Sequence, residues 1–237
     1  MAWEGKNVLA VVAARGGSKG IPRKNLKFVG GISLVARAAQ ITAALPWIDE
    51  AIISTDDDEI MAEAIAYGLD APFVRPPELS ADGATSVDMW CHAWATAEDH
   101  YQCEFDLSVL LEPTSPLRTA DDVTRTVRTM VDGGHRAAAT VSQTPAHYTP
   151  HKTLTVEDGT IGFYLEGGAG YSLRQSIPNY FHRNGICYCV TREALMEAGE
   201  ILEQDCAAVI IDRPVVNIDE PFELELAEFL LDRQAND

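Results

Sequence analysis

The 237-residue sequence predicts an α/β fold: one domain on a doubly wound, mostly parallel sheet, with a small β-rich excursion inserted at about residues 145–183. Two observations carry this. Short apolar runs alternate with segments whose apolar residues recur at helical spacing, and such strand–helix alternation gives parallel strands covered on both faces. The alternation breaks between Pro145 and Arg183, a stretch rich in Tyr, Gly and Pro.

The first strand is expected at Asn7–Ala14. Its VLAVVAA could pass for a signal-peptide core, but the preceding MAWEGK is not basic and a charged loop follows at once, so a buried strand is the better reading. Ser33–Leu45 and Asp58–Tyr67 carry helical spacing on either side of a strand at Glu50–Ser54. A third helix opens at Thr85 and Ser86, natural N-caps. After the strand Leu107–Leu111, a helix opens with Thr119 and early acids that suit the helix dipole. Strands at Ala137–Val141, Ile186–Val190 and Ala207–Ile211 follow, with VEDGTI as a hairpin within the excursion. The last helix begins near Pro221, a residue favoured in a first helical turn.

A formal net charge of −18 argues against a surface for nucleic acid or anionic membrane, because phosphates would be repelled. No apolar run approaches the ~20 residues of a membrane span. The five cysteines are scattered with no CxxC pair, which argues against a disulfide framework or a zinc site. Cys187 and Cys189 share one strand face as small buried hydrophobes. A cytoplasmic protein is expected.

One segment runs against the acidity. ARGGSKGIPRKN (Ala14–Asn25) follows the first strand, the usual place for phosphate binding in this fold class. Gly16, Gly17 and Gly20 let the backbone approach a ligand, while Arg15, Lys19, Arg23 and Lys24 supply cations that a polyphosphate would neutralise. The segment matches neither GxGxxG nor GxxxxGK[ST], which removes support for a dinucleotide oxidoreductase and a P-loop ATPase. ISTDD (Ile53–Asp57), LLEPTSPLR (Leu110–Arg118) and the turn at Asp219 add strand ends on the same rim, with basic groups for phosphates and a carboxylate for a divalent metal. Mg²⁺ is the metal expected, since one or two carboxylates plus phosphate oxygens hold it. Such a constellation suits nucleotidyl transfer, in-line attack of an acceptor oxygen on an α-phosphorus with release of pyrophosphate.

With these motifs the chain resembles the acylneuraminate cytidylyltransferase family, which makes CMP-activated acid sugars from CTP. ARGGSKGIPRKN, ISTDD, RPPELSADGATS, EPTSPLR, RQSIPNYFHRNGICY and NIDEPFELELAE follow in the family's order through nearly the whole chain. The resemblance implies that Arg15, Lys19 and Lys24 hold the triphosphate and assist catalysis, with Gly17 and Ser18 in the same CTP-binding loop. It implies that Asn25 helps read cytosine, and that Arg75 and Ser86 lie near the base and ribose. Asp219 matches a magnesium-binding aspartate, with Asn217 beside it as a second candidate. Lys152 and Arg174 match residues that contact the acceptor's carboxylate, and Glu112, Asn184 and Tyr188 match the acceptor pocket. A homodimer, with the excursion reaching the partner's site, is implied as well.

Three departures bear on the acceptor. Where the family usually has glutamine in LLQPTSPLR, this chain has Glu112; where it often has DID, the first acid is Asn217. The stretch ALMEAGEILEQDCAAVII also lacks the phenylalanines common in sialate enzymes. Two acceptor classes therefore stand side by side: a nonulosonic acid such as N-acylneuraminate, and a small phosphonate such as phosphonoformate.

Overall fold

The strand that opens the fold, β1 (Val8–Ala13), turns Val8, Ala10 and Val12 to one side and Leu9 and Val11 to the other, and all five are fully buried. That alternation buries both faces of the sheet it founds. The computed structural model describes residues 3, 5–171, 173–203 and 205–236, without the side chains of residues 174, 235 and 236. A short ribbon of β2 (Phe28–Val29) and β3 (Ile32–Ser33) leads into α1 (Leu34–Ala43), then β4 (Glu50–Ser54) and α2 (Asp58–Ala66). Next come α3 (Ser86–Tyr101), β5 (Leu107–Leu111), α4 (Ala120–Gly133) and β6 (Ala137–Gln143). The excursion holds β7 (Leu154–Glu157) and β8 (Thr160–Phe163), and the chain ends with β9 (Phe181–Thr191), β10 (Cys206–Ile210) and α5 (Pro221–Asn236).

Helix starts follow the capping chemistry. Thr85 accepts from Asp88 N at α3, and Thr119 forms a full capping box with Asp122 at α4. Each such cap contributes about 1 kcal/mol. Helices α1, α2 and α4 cover one face of the sheet through Val35, Ile60 and Val127, while α3 covers the other with Met89, Trp90 and Trp94. The buried Trp90 indole donates to Ser108 Oγ at 2.8 Å, so its polar atom is satisfied. Helix α5 packs at one end with Ile21, Val29, Leu117 and Ile218.

The main sheet has the order β10-β6-β9-β5-β1-β4. Neighbours β1–β4, β1–β5 and β10–β6 are parallel, but β9 runs antiparallel between β5 and β6. The reason is connectivity. Chain leaves β6 at Gln143, makes the excursion, and re-enters at Phe181 directly opposite Gln143, so it must run back along β6. Within the excursion, Asp158 (φ 49°) and Gly159 (φ 77°) form the left-handed Asp-Gly turn that joins β7 to β8. All eight strand residues of this hairpin are exposed.

Parallel β1, β4 and β5 end on one rim, delivering Arg15, Asp56 and Glu112 to the same side of the sheet. Among the described residues no helix is long and apolar enough to cross a membrane. Cys187 and Cys189 are both fully buried, as the shared strand face requires.

Candidate active site

The basic loop is held from two sides. From the β4 side, the Asp56 carboxylate accepts from Gly16 N at 2.9 Å, and Asp57 pairs with Arg23 at 3.1 Å. Gly16 is required by space: a Cβ there would lie 2.8 Å from Asp57 Oδ2. From the α5 side, the Lys24 ammonium donates to Ile218 O at 2.6 Å and to Asp219 Oδ1 at 2.8 Å. Gly20 lies so close to this turn that a Cβ on it would sit 2.3 Å from Asp219 O. Asn25, buried, donates its amide N–H to Arg15 O at 3.0 Å, which closes the loop on itself.

Two of the loop's cations pair with one carboxylate. Arg15 donates to Asp82 Oδ1 at 3.2 Å and Lys19 pairs with Asp82 Oδ2 at 2.5 Å. These bonds, Lys19's first, hold the exposed Asp82 carboxyl below the usual range. Asp82 had no distinguishing signal in the sequence beyond its place in RPPELSADGATS.

The loop borders a cleft of about 440 Å³, ample for the phosphates and sugar of a nucleotide. Arg15, Ser18, Lys19, Lys24, Asn25, Ser86, Glu112, Asn217 and Asp219 all line it. Ser86, Leu110 and Glu112 are shared with an adjoining pocket of about 230 Å³, which adds Tyr188, Arg183, Ile201 and Leu202. Ile201 and Leu202 come from the phenylalanine-free stretch and supply its apolar wall in aliphatic form. Arg183, unremarked at the sequence level inside YFHRNGICY, joins this pocket to a broader depression of about 940 Å³ that also reaches Asn217 and Asp219.

Glu112 marks the junction. Burial pushes its carboxyl above the usual carboxylate range; Arg118, Arg183 and Lys24 oppose that push and Asp219 reinforces it. Gly185 (φ +69°) makes room for it, since a Cβ there would meet Glu112 Oε2 at 2.6 Å, Ser115 Oγ at 2.7 Å and Asn217 Nδ2 at 3.2 Å. Tyr188 is buried, and burial followed by the nearby Glu112 carboxylate pushes its phenol up to about 12.

Other sequence-level candidates lie off the cleft. Gly17 is exposed on the outer side of the loop, with open space around it. Arg75 is buried beneath the rim, donating through Nε to Ser54 Oγ at 2.9 Å and through Nη2 to Ser54 O; burial pushes its guanidinium down to about 10. Asn184 is buried with its amide committed to Thr140 Oγ1 at 2.7 Å and Ser142 Oγ at 3.0 Å, where it braces the irregular pairing of β9 with β6. Lys152 lies in the turn before β7 and lines none of the three cavities. Arg174 begins a 3-10 turn, and its side chain lies outside the described residues. Arg118 of EPTSPLR, grouped by sequence with the rim's basic residues, is buried instead. Its guanidinium binds the carbonyls of Glu112, Gly185 and Ile186 and staples β5 to β9.

Asp219 and Asn217 offer oxygen donors at one edge of the cleft. Asn217 Oδ1 is buried with no hydrogen-bond partner among the described residues, and Asp219 is largely exposed toward the cleft, its side chain 73% accessible. A hard cation that brings its own phosphate oxygens fits such a pair. Among the described residues no group of three or more His, Cys, Asp or Glu side chains could hold a metal alone.

Residues 9–206 match the family model described as cytidylyltransferase. The chain is 27% identical over 223 residues to a pseudaminic acid cytidylyltransferase of Campylobacter jejuni, covering 94% of this chain and 95% of the relative. It is 26% identical over 226 residues to post-translational flagellin modification protein B of Campylobacter coli, covering 94% of each. Among solved structures it is similar in fold to a CMP:2-keto-3-deoxy-manno-octonic acid synthetase complexed with CTP, at a TM-score of 0.71 and 17% identity over 96% of this chain and 99% of the other. None of these relatives is named for a phosphonate acceptor, and that alternative gains no support. The glycine-rich cationic loop, the cleft it borders and the match over most of the chain lead to one assignment: the chain belongs to the cytidylyltransferase family and is a CTP-dependent nucleotidyltransferase.

Proposed function

We propose that the protein transfers CMP from CTP to an acid sugar of the nonulosonic class and releases pyrophosphate. The observation that carries this reading is the junction of two cavities at Glu112. One is a cation-lined cleft of about 440 Å³ for the nucleotide, the other a smaller pocket of about 230 Å³ for the acceptor.

In this reading Arg15 and Lys19 exchange the Asp82 carboxylate for phosphate oxygens of CTP. Lys24, only 14% exposed and anchored by Ile218 O, presents a fixed positive charge to the α–β bridge. Asn25 spends its N–H on Arg15, and its carbonyl oxygen is left to accept from the amino group of cytosine. Ser86 lies against the ribose, and Arg75 acts from below by fixing Ser54 rather than by touching nucleotide. Gly17 contributes as open backbone and Ser18 as cleft lining. Asp219 and Asn217 would hold Mg²⁺, which when bound offsets charge on the phosphates. The acceptor hydroxyl oxygen forms a bond to the α-phosphorus, the bond to the bridging oxygen breaks, and pyrophosphate leaves while the proton passes to solvent.

The working unit is a homodimer, one domain per chain with the 145–183 excursion as an inserted subdomain. A lone two-stranded hairpin is marginal in water. This one nevertheless exposes Val156 (70%) and Ile161 (66%), with Tyr148 and Tyr164 nearby, a surface suited to cover by a second copy. Lys152 sits at the hairpin's foot, and Arg174 follows it, so both would serve the partner's acceptor site. Five free cysteines suit a reducing cytoplasm.

The test is pyrophosphate release from CTP and Mg²⁺ with N-acetylneuraminate, pseudaminate, N,N'-diacetyllegionaminate and small phosphonates as acceptors, repeated with UTP and GTP. Turnover with CTP and an acid sugar is expected; turnover with phosphonates only, or preference for UTP or GTP, would overturn the reading.

A further inference from the structure

The acceptor pocket contains two carboxylates, Glu112 and Glu203, and one cation, Arg183. An anionic acceptor entering this space meets repulsion from both acids unless a positive group receives it. The residue beneath cannot do so, because the Arg118 guanidinium is buried and committed to the carbonyls of Glu112, Gly185 and Ile186. Arg183 is differently placed. It lies in the exposed first part of β9, where Phe181, His182 and Arg183 pair with β6, and the strand is buried from Asn184 to Val190. It lines both the acceptor pocket and the broad depression that reaches Asn217 and Asp219.

The guanidinium is also uncommitted. Arg15, Lys19, Arg23, Lys24, Arg192 and Arg213 each pair with a carboxylate at 3.2 Å or less. Arg183 makes no side-chain hydrogen bond or ion pair among the described residues, although it is close enough to Glu112 to favour that residue's ionised form. A planar fork of donors left free at a pocket mouth is suited to a carboxylate held by two parallel bonds.

We propose that Arg183 binds the acidic group of the acceptor and makes this site select an anionic acceptor despite Glu112. This deepens the acid-sugar reading and rests on it. Held there, an acceptor spans from Arg183 toward Ser86 and Glu112, the residues the pocket shares with the nucleotide cleft, and its hydroxyl faces the CTP phosphates. The Glu112 carboxylate attracts the guanidinium without bonding to it, and is itself left to accept from the sugar's hydroxyl or amide donors.

The test compares the wild-type enzyme with Arg183→Gln and Arg183→Lys. Substrates are the best acceptor among N-acetylneuraminate, pseudaminate and N,N'-diacetyllegionaminate, and its carboxylate methyl ester. Arg183 is exposed, so both variants should fold, and circular dichroism checks this. Loss of a charge-assisted pair should raise the acceptor KM about 10- to 100-fold in Arg183→Gln, with the KM for CTP unmoved and Arg183→Lys in between. The wild-type preference for acid over ester should shrink by a similar factor in Arg183→Gln, leaving only what Lys152 and Arg174, proposed above to serve the site from the second copy, contribute. An unchanged acceptor KM, or a preserved preference for the acid, would overturn the proposal while leaving the acid-sugar reading standing. If the wild type turns over no acid sugar, that reading fails first, and saturation-transfer NMR with the same sugars on the CTP-loaded protein decides the matter. Binding lost in Arg183→Gln upholds the role of Arg183; binding absent from the wild type, or equal in both, overturns it.

Discussion

Replacing Gly20 with alanine tests whether the basic loop and the Asp219 turn work as one unit. Gly20 is not among the left-handed glycines, so the objection to a side chain is space alone. Its Cβ would lie 2.3 Å from the Asp219 carbonyl oxygen, a backbone atom that cannot swing aside, whereas real Cβ contacts stay beyond 3.0 Å. Loop and turn must therefore part by about 0.7 Å or more. Parting by that much takes the Lys24–Asp219 bond, now 2.8 Å, to the limit of a hydrogen bond. Overpacking of this kind costs about 1–3 kcal/mol. For a chain of this size each kcal/mol lowers Tm by about 2–4 °C. Misplacing catalytic groups by about 1 Å is worth on the order of 10²-fold in rate. Gly20→Ala is expected to lower kcat/KM for CTP about 100-fold, read by pyrophosphate release at saturating acceptor, with a Tm loss of several degrees by calorimetry. Gly17→Ala is the control for the fold: its Cβ meets nothing within 4 Å, so Tm should hold. A Gly20→Ala enzyme with wild-type kcat/KM and Tm would refute the coupling of loop and turn.

Three further variants probe other parts of the structure. Burial alone would raise the Asp122 carboxyl, but bonds from Arg213 and Thr119 outweigh it and hold it below the usual range. A lowered folded-state pKa gives stability that is present above the unfolded value near pH 4 and lost as pH falls through the folded one. Asp122→Asn should therefore cost about 2–3 kcal/mol in urea unfolding at neutral pH, discounted for the partly exposed Arg213, with the gap to wild type narrowing from about pH 4 downward. Val156 and Ile161 pair directly across the β7–β8 hairpin, so the double change to aspartate charges one face of it; if the proposed homodimer uses this face, sedimentation should show the variant as monomer where the wild type gives dimer. Asn217→Asp puts a charge where an unpartnered amide oxygen is buried beside Glu112 and Asp219. Its Tm should drop without Mg²⁺ and recover more than the wild type's when magnesium chloride and CTP are added.

Much of this architecture could be read before any coordinates. The caps at Thr85 and Thr119, five of the six sheet strands and the Asp-Gly turn each rest on local chemistry and stand within two residues of their expected places, while β9, expected from Ile186, already begins at Phe181. The reversal of β9 was not legible, because a period-two apolar pattern reads the same in either direction. Only the long connection that brings Phe181 opposite Gln143 sets the direction. The cleft was legible through its glycines and cations, whose clustering is improbable without an anion. Asp82 and Arg183 were not, since one is an exposed acid in a loop and the other an arginine near a strand start. Their importance comes from residues distant in sequence, Arg15 and Lys19 in one case and Glu112 in the other. Arg118 illustrates the opposite error: a basic residue next to a phosphate site by sequence, but turned inward to three carbonyls.

The most direct measurement follows oxygen-18 from the acceptor hydroxyl during turnover with CTP and Mg²⁺. Attack at the α-phosphorus predicts one labelled oxygen in each CMP conjugate, at the bridge to the sugar, and unlabelled pyrophosphate as the released product. A conjugate without label, or release of inorganic phosphate in place of pyrophosphate, would contradict cytidylyl transfer at this site.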